Sequence, residues 1–333
     1  ARAQSVEARA TDLGAGKVHY AALRDGLAAL MYNTSAILLE RVEDLGREPL
    51  DAAELLQTRC SSGIRSLHLS AEAWLAASCE GSNLIELWHN PGGLRKSGWN
   101  LDGALNVTFL GAAANNNNGA KKIGDAMVIR SKTMAVSSTT YDPVADDRIG
   151  VVYIFERSAN EWTLADTLLS PRPAPQLSSF GTSLDMDASA STLFVGEERN
   201  NEQFAGAAYV FARAKPDGPL RRWGLVQTLT ATDVPSTDFN QFGHHLAVSD
   251  DGQDLIVSAR ADNLDADYPD SIRAGAVYFF KRTQPWADSR PCWRGTDCWG
   301  PTQVVRLANI STQTDTFGTE VAMSGNLSVA TAL

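Results

Sequence analysis

Long apolar runs are missing from this sequence: no uninterrupted stretch approaches the roughly 18 residues that a membrane-spanning helix needs, so no membrane insertion is expected from this segment. The first residues, Ala1 to Ala10, lack the charged-then-apolar pattern of a secretion signal. Either a signal was removed ahead of residue 1 or there was none. An excess of positive charge is missing as well. Lys and Arg number 29 against 39 Asp and Glu, a formal net charge of -10. Nucleic acid and anionic lipid both need a concentrated basic face to neutralise phosphate, so neither is an expected partner. Glycine-rich phosphate loops are absent, and no strand is followed by the helix they require, which argues against a nucleotide cofactor. No nucleophile motif of a known hydrolase class is present either. Histidines are few, and His19, His68 and His89 are scattered singly.

Cysteine is sparse: Cys60, Cys79, Cys292 and Cys298 are the four present. They fall into two local pairs, Cys60 with Cys79 and Cys292 with Cys298. The C-x5-C spacing of the second pair is not a zinc pattern and no histidine lies close by, so two disulfides are expected rather than a metal knuckle. Four N-x-[ST] sequons stand at Asn33, Asn106, Asn309 and Asn326. Together these features favour a secreted, extracellular or cell-surface protein.

What the chain does contain is apolar material and a repeat. Hydrophobic residues make up 44% and charged residues 20%, enough for a real core and too little charge for disorder. Phe180-Gly181-Thr-Ser-Leu-Asp-Met-Asp, Phe242-Gly243-His-His-Leu-Ala-Val-Ser and Phe317-Gly318-Thr-Glu-Val-Ala-Met-Ser align without a gap. A second apolar segment follows, Thr192 to Glu197 in one copy and Asp254 to Ala259 in the next. A third starts at Gly150, Gly206 and Gly275 and reads Gly-x-x-Tyr-x-Phe-x-Arg in each. A fourth begins where Trp162 or Trp223 leads into Leu164 or Leu225. Weaker copies open at Ile123-Gly124 and at Gly63.

Four short strands per unit, bounded by Gly, Asp and Asn turns, predict an all-β propeller of four-stranded antiparallel blades. The apolar second and third strands suit sheets buried on both faces, and the alternating fourth suits an outer edge. A glycine ahead of Tyr-Val-Phe allows a tight approach that no side chain would fit. The expected blades span 17–59, 60–111, 122–170, 180–232 and 242–310, with a partial blade at 317–333 and an N-terminal arm at 1–16. In the first unit, Ala52 to Gln57 suits a strand or a short helix equally. The connectors Ala112 to Lys121 and Ser170 to Gln176 do not read as domain boundaries. Five units and the first two strands of a sixth leave a ring unfilled, so a longer mature chain is expected.

The Phe-Gly openings, the second strands and the Gly-x-x-Tyr-x-Phe-x-Arg third strands resemble FG-GAP repeats, as in integrin-α heads, most clearly over about residues 120 to 333. The resemblance implies a seven-bladed propeller used for protein binding, adhesion or surface assembly. In the integrin form the turn between the first two strands carries a calcium loop. Here the turns at Asp185 to Ser191, Ser249 to Gln253 and Ser324 to Leu327 lack the serial oxygens that calcium needs, so no metal site is carried over.

Other candidate sites are weighed the same way. The acidic stretch Asp262 to Asp270 has irregular spacing and no glycine, and reads as a solvated loop rather than a calcium site. His244 and His245 sit in a first strand whose alternation sends them to opposite faces, so they do not share a metal. Trp286, Trp293 and Trp299 cluster beside Cys292 and Cys298 and form either a stapled aromatic contact surface or a self-packed insert. The expected function is non-enzymatic: protein binding, adhesion or a structural role, with other proteins of an extracellular assembly as partners and a glycan as a possible one. The alternative is a glycan-processing enzyme or lectin. The enzyme would need carboxylates or a histidine converging from first strands, with Asp125, Asp185, His245 and Glu320 at the matching positions.

Overall fold

The computed structural model describes residues 21–24, 27–33, 36–41, 54–94, 98–106, 123–139, 150–172, 178–199, 205–213, 223–231, 240–261, 275–283, 298–306, 317–324 and 327–332. All the regular elements among them are strands. The first sheet holds β1 (Ala21–Arg24), β2 (Leu27–Asn33), β3 (Ala36–Arg41) and β4 (Glu54–Gln57). The second holds β5 (Ile64–Leu69), β6 (Trp74–Cys79), β7 (Leu84–His89) and β8 (Asn100–Asn106). The third holds β9 (Met127–Arg130), β10 (Thr133–Ser138), β11 (Val151–Ser158) and β12 (Glu161–Leu169). The fourth holds β13 (Leu184–Met186), β14 (Thr192–Glu197), β15 (Ala207–Arg213) and β16 (Trp223–Leu229). The fifth holds β17 (Phe242–Val248), β18 (Asp254–Ala259), β19 (Ala276–Arg282) and β20 (Trp299–Arg306). The last, β21 (Phe317–Ser324) and β22 (Leu327–Ala332), is a two-stranded sheet. In each sheet the strands neighbour one another in chain order, the arrangement that hairpins impose.

The chain divides into two compact units, Ala1–Ile129 and Arg130–Leu333. In the first, the segment that suited strand or helix is a strand. Glu54 to Gln57 pairs antiparallel with β3, from Leu39↔Glu54 to Ala36↔Gln57. Burying Leu56 in that ladder outweighs helix preferences worth only tenths of a kcal/mol per residue. A core of Ile37, Leu39, Leu56, Leu75, Trp88 and Trp99 joins the first two sheets. Cys60 and Cys79 form a disulfide that ties the lead-in to β5 to the end of β6.

In the second unit, the inner strands β10, β14 and β15 are buried almost throughout, and β12 is exposed at most positions. The Phe-Gly motif explains how one sheet meets the next. Phe242 packs edge-on against Tyr278 and Phe280 of its own sheet, with ring centroids 5.2 and 6.1 Å away. Phe180 packs tilted against Tyr209 and edge-on against Phe211, with centroids 5.7 and 6.2 Å away. The backbone of each Phe lies against the third-strand glycine of the preceding sheet. Gly206 and Phe242 form a parallel bridge, and Phe242 N–H donates to Ala205 C=O at 3.1 Å. A Cβ on Gly150, Gly206 or Gly275 would lie 2.3, 2.0 or 2.0 Å from the carbonyl oxygen of Phe180, Phe242 or Phe317. All three glycines have positive φ, so the repeated glycine is required twice over, by conformation and by space.

In the second unit a buried tryptophan stands at the start of every outer strand, Trp162, Trp223 and Trp299, and in the first unit Trp99 immediately precedes β8. This corrects the reading of Trp299 as part of an exposed aromatic knob. It occupies the position of Trp162 and Trp223 and packs edge-on against Phe194, centroids 5.1 Å apart. Trp286, Trp293 and Cys292 lie outside the described residues, as do Asn309, Asn326, the acidic stretch 262–270 and the connectors 112–121 and 173–177. Cys298 is disulfide-bonded. Asn33 and Asn106 close β2 and β8.

Candidate functional site

The turn between first and second strands is the position where an integrin-type repeat carries its cation loop. In the fourth sheet Asp187 accepts the Ser191 and Thr192 amides at 2.9 and 2.7 Å and the Ser191 hydroxyl at 3.0 Å. In the fifth, Ser249 Oγ accepts the Gln253 and Asp254 amides at 3.1 and 2.9 Å. Ser70 plays that part for Trp74 N–H at 3.2 Å. These are side-chain-to-backbone turns, in which one Asp or Ser closes the reversal.

Asp125 in the first unit and Asp185, His245 and Glu320 in the second each take their own partners. Asp125 is ion-paired with Arg65. Asp185 accepts from Arg130 at 3.4 Å and from Val248 N–H at 2.9 Å, tying the first strand of the fourth sheet to that of the fifth. The backbone N–H of His245 donates to Ser258 Oγ at 3.0 Å, and its Nδ1 faces Val321 N–H at 3.5 Å. Burial, then the neighbouring His244, pushes the His245 imidazole down to about 4. Glu320 is exposed, and its amide donates to Thr331 at 3.1 Å. His244 and His245 take different partners, Glu198 and the Val321 amide, and the β17–β18 pairing is irregular between Phe242 and Leu246.

The polar groups that do gather are two consecutive carboxylates at the end of β14. Glu197 points inward and accepts from the hydroxyls of Ser178, of Tyr209 at 2.5 Å and of Ser170 at 3.1 Å. Burial raises its pKa, and these hydrogen bonds only partly offset the effect. Burial, with the Glu197 charge alongside, raises the Tyr209 phenol further. Glu198 points to the junction with the fifth sheet. It meets His244 Nδ1 at 2.7 Å, with Arg260 and Arg199 at 3.6 and 3.7 Å. Burial pushes Glu198 up, but the His244 hydrogen bond and charge, then Arg260 and Arg199, hold it below the ordinary carboxylate value. Arg260 is itself held by Gln241 at 2.8 Å.

A second set of contacts runs between neighbouring outer strands. Asp166 Oδ2 accepts Trp223 N–H at 2.8 Å. Gln227 Oε1 accepts the Trp299 and Cys298 amides at 2.8 and 2.9 Å, and its Nε2 donates to Trp299 C=O at 2.9 Å. In the first unit Glu54 accepts Trp99 N–H at 3.0 Å. The Glu197, Glu198 and outer-strand contacts were not anticipated from the sequence. For the last a signal existed, since Asp166 and Gln227 each stand four residues after the tryptophan of their own strand.

Among the described residues no group of three or more His, Cys, Asp or Glu is placed to hold a metal ion, and no helix is long and apolar enough to cross a membrane. At the junction of the fourth and fifth sheets, Asp185 and Glu198 tie one sheet to the next.

No curated protein sequence matches the chain. Among solved structures, Sqt1 of Saccharomyces cerevisiae is similar with a TM-score of 0.50 at 9% identity, over 95% of this chain and 80% of that one. A protein from Lactobacillus plantarum is similar with a TM-score of 0.51 at 14% identity, over 87% of this chain and 71% of that one. At such identities the likeness bears on the fold alone, an all-β propeller of four-stranded antiparallel blades. The FG-GAP repeat family matches residues 223–280, from the outer strand of the fourth blade through the Phe-Gly opening to the third strand of the fifth, and this chain carries a repeat of that family.

Proposed function

We propose that the chain is a non-enzymatic binding module, a propeller scaffold that presents its inter-strand loops to other proteins of an extracellular or cell-surface assembly. One observation carries this reading above the glycan-processing alternative. The first-strand carboxylates that catalysis would need, Asp125 and Asp185, are spent on contacts within the scaffold, to Arg65 and to Arg130 and Val248. Two carboxylates acting on a glycosidic bond must face a common substrate, about 5 to 10 Å apart. The FG-GAP repeat supports protein partners. The Cys60–Cys79 disulfide supports an oxidising compartment. Rigid blades with variable loops are a common way to build a recognition surface.

The test is binding of the labelled chain to intact cells of its source, before and after the cells are shaved with protease, with simple sugars as competitors. The reading predicts saturable binding that shaving abolishes and sugars leave unchanged. Binding that survives shaving and is competed by sugars supports a lectin instead, and turnover of a glycan substrate contradicts the reading. The compartment is checked by the intact mass of natively purified protein: deglycosylation should lower it, and thiol reagents should label only after reduction.

A further inference from the structure

Arg260 follows β18 at the junction of the fourth and fifth blades, and the repeat does not prescribe it: the residue that follows β14 in the same place is Glu198. Its guanidinium is held from behind. Nε donates to Gln241 Oε1 at 2.8 Å, whereas the carboxylate it faces, Glu198 Oε2, lies 3.6 Å from Nη2, beyond hydrogen-bond length. That oxygen is already engaged by His244 Nδ1 at 2.7 Å, and Arg199 stands 3.7 Å from the other one. More than one cation thus shares a single carboxylate. The two terminal nitrogens of Arg260 make no hydrogen bond among the described residues, and its side chain is 34% exposed.

A second observation concerns what holds Arg260. Gln241 is buried and has a φ of +56°. The other non-glycine residues with positive φ among the described residues, Ala73, Ser131, Ala159 and Ala190, are small and stand in hairpin turns. Gln241 is long and precedes the Phe-Gly opening, and Ser179, its counterpart ahead of Phe180, does not share the conformation. A bulky residue stays in the left-handed region only where its surroundings over-determine it, and such residues gather at binding sites. What the conformation delivers here is the Gln241 side-chain carbonyl on Arg260 Nε.

We propose that Arg260 is the anchor for an acidic side chain of a protein partner, whose carboxylate it takes on its two terminal nitrogens. The inference rests on the protein-binding reading above and names the partner's chemistry at one point of the surface. A planar guanidinium meets a carboxylate with two parallel hydrogen bonds, and fixing it beforehand by Nε removes part of the ordering cost of binding. In a chain of net charge -10, two arginines and a histidine around one carboxylate make a local site that favours an anion. A carboxylate suits it better than a phosphate, because Glu198 beside the fork repels a dianion more strongly than a monoanion.

The probe is N-acetylglutamate N-methylamide, a blocked glutamate, titrated onto the isotope-labelled 333-residue chain and followed by NMR. Saturable shifts are expected at the Arg260 Nε–H and at the backbone amides of Gln241 and Ala261, and none with blocked glutamine. Arg260→Lys keeps the charge but not the fork and should weaken binding about tenfold, read at the backbone amides. Gln241→Asn is too short to reach Arg260, while Asn tolerates positive φ, so binding should weaken about threefold with the urea midpoint unchanged or higher. In the cell-binding assay Arg260→Lys should reduce saturable binding as well. Protease-sensitive cell binding that Arg260→Lys leaves unchanged would overturn the anchor and leave the protein-binding reading standing. Blocked glutamate bound at Arg260 without any cell binding would support the carboxylate site and count against that reading. No saturable shift, equal binding of blocked glutamine, inorganic phosphate bound more tightly than glutamate, or a Gln241→Asn chain with a lower midpoint and unchanged binding would each overturn the proposal.

Discussion

Replacing Gly206 by alanine should loosen the seam between the fourth and fifth blades. Its φ is +81°, a conformation that costs an L-residue about 1–2 kcal/mol. The added Cβ would stand 2.0 Å from Phe242 C=O, backbone rather than a movable side chain, so the strands must part by more than 1 Å. Parting them strains the Phe242 to Ala205 hydrogen bond and lifts Phe242 from Tyr278 and Phe280. Overpacking of this kind costs about 1–3 kcal/mol and a weakened hydrogen bond about 1 more. The total, about 3–6 kcal/mol, is a large share of the 5–15 kcal/mol typical of a domain. Gly252→Ala in the same unit is the control. Its φ is +66°, but the nearest atom is the Asp187 Cβ at 3.2 Å, and alanines already occupy the matching turn position at Ala73 and Ala190 with φ of 57° and 54°. It should cost about 1 kcal/mol. Urea unfolding followed by tryptophan fluorescence should therefore show a midpoint shift for Gly206→Ala about three or more times that of the control. Similar shifts for the two would refute the role given to the close Gly206–Phe242 contact.

Other consequences are as concrete. Gln227→Ala removes three hydrogen bonds around Trp299 and should destabilise the second unit by about 1–3 kcal/mol in the same urea assay, since the Cys298 and Trp299 amides lose their acceptor. Reducing Cys60–Cys79, 19 residues apart, should cost about 3 kcal/mol on loop entropy, measured with and without reductant and in the Cys60→Ser, Cys79→Ser pair. Two buried groups set opposite pH slopes. Glu197 has a raised pKa in the fold, so its contribution is present below the ordinary carboxylate pKa and is lost as pH rises through the raised value; Glu197→Gln should flatten that slope. His245 is depressed to about 4, so its contribution is present above its ordinary value of 6.5 and is lost as pH falls from there towards 4; His245→Gln should flatten stability over that window.

The blades were legible because each strand recurs, and a repeat exposes any residue demanded by its own sheet. Phe-Gly and Gly-x-x-Tyr-x-Phe could be read as strand openings for that reason. Their role as two sides of one seam could not, because Gly206 and Phe242 belong to different copies and alignment compares a residue only with its own equivalents. Trp299 was hidden differently: the nearby cysteines suggested a separate insert, although Trp299-Gly-Pro-Thr-Gln303 matches Trp223-Gly-Leu-Val-Gln227 in spacing. The Glu198 cluster left no trace in sequence, since Glu198, His244 and Arg260 come from three segments and meet only when two blades pack. Helix or strand at Ala52 to Gln57 was decided by pairing with β3, a tertiary effect that local propensity does not encode.

The central structural claim is that Phe-Gly openings lock each blade onto the glycine of the one before. Native-state hydrogen exchange at the Phe242 amide in an Asn240→Ala chain tests it most directly: that N–H donates across the seam to Ala205 at 3.1 Å and to Asn240 Oδ1 at 3.1 Å, and the substitution leaves only the cross-seam acceptor. The account predicts protection comparable to the β18–β19 ladder, with the two lost together in denaturant. Exchange at the rate of an open loop amide, while β18 and β19 stay protected, would contradict it.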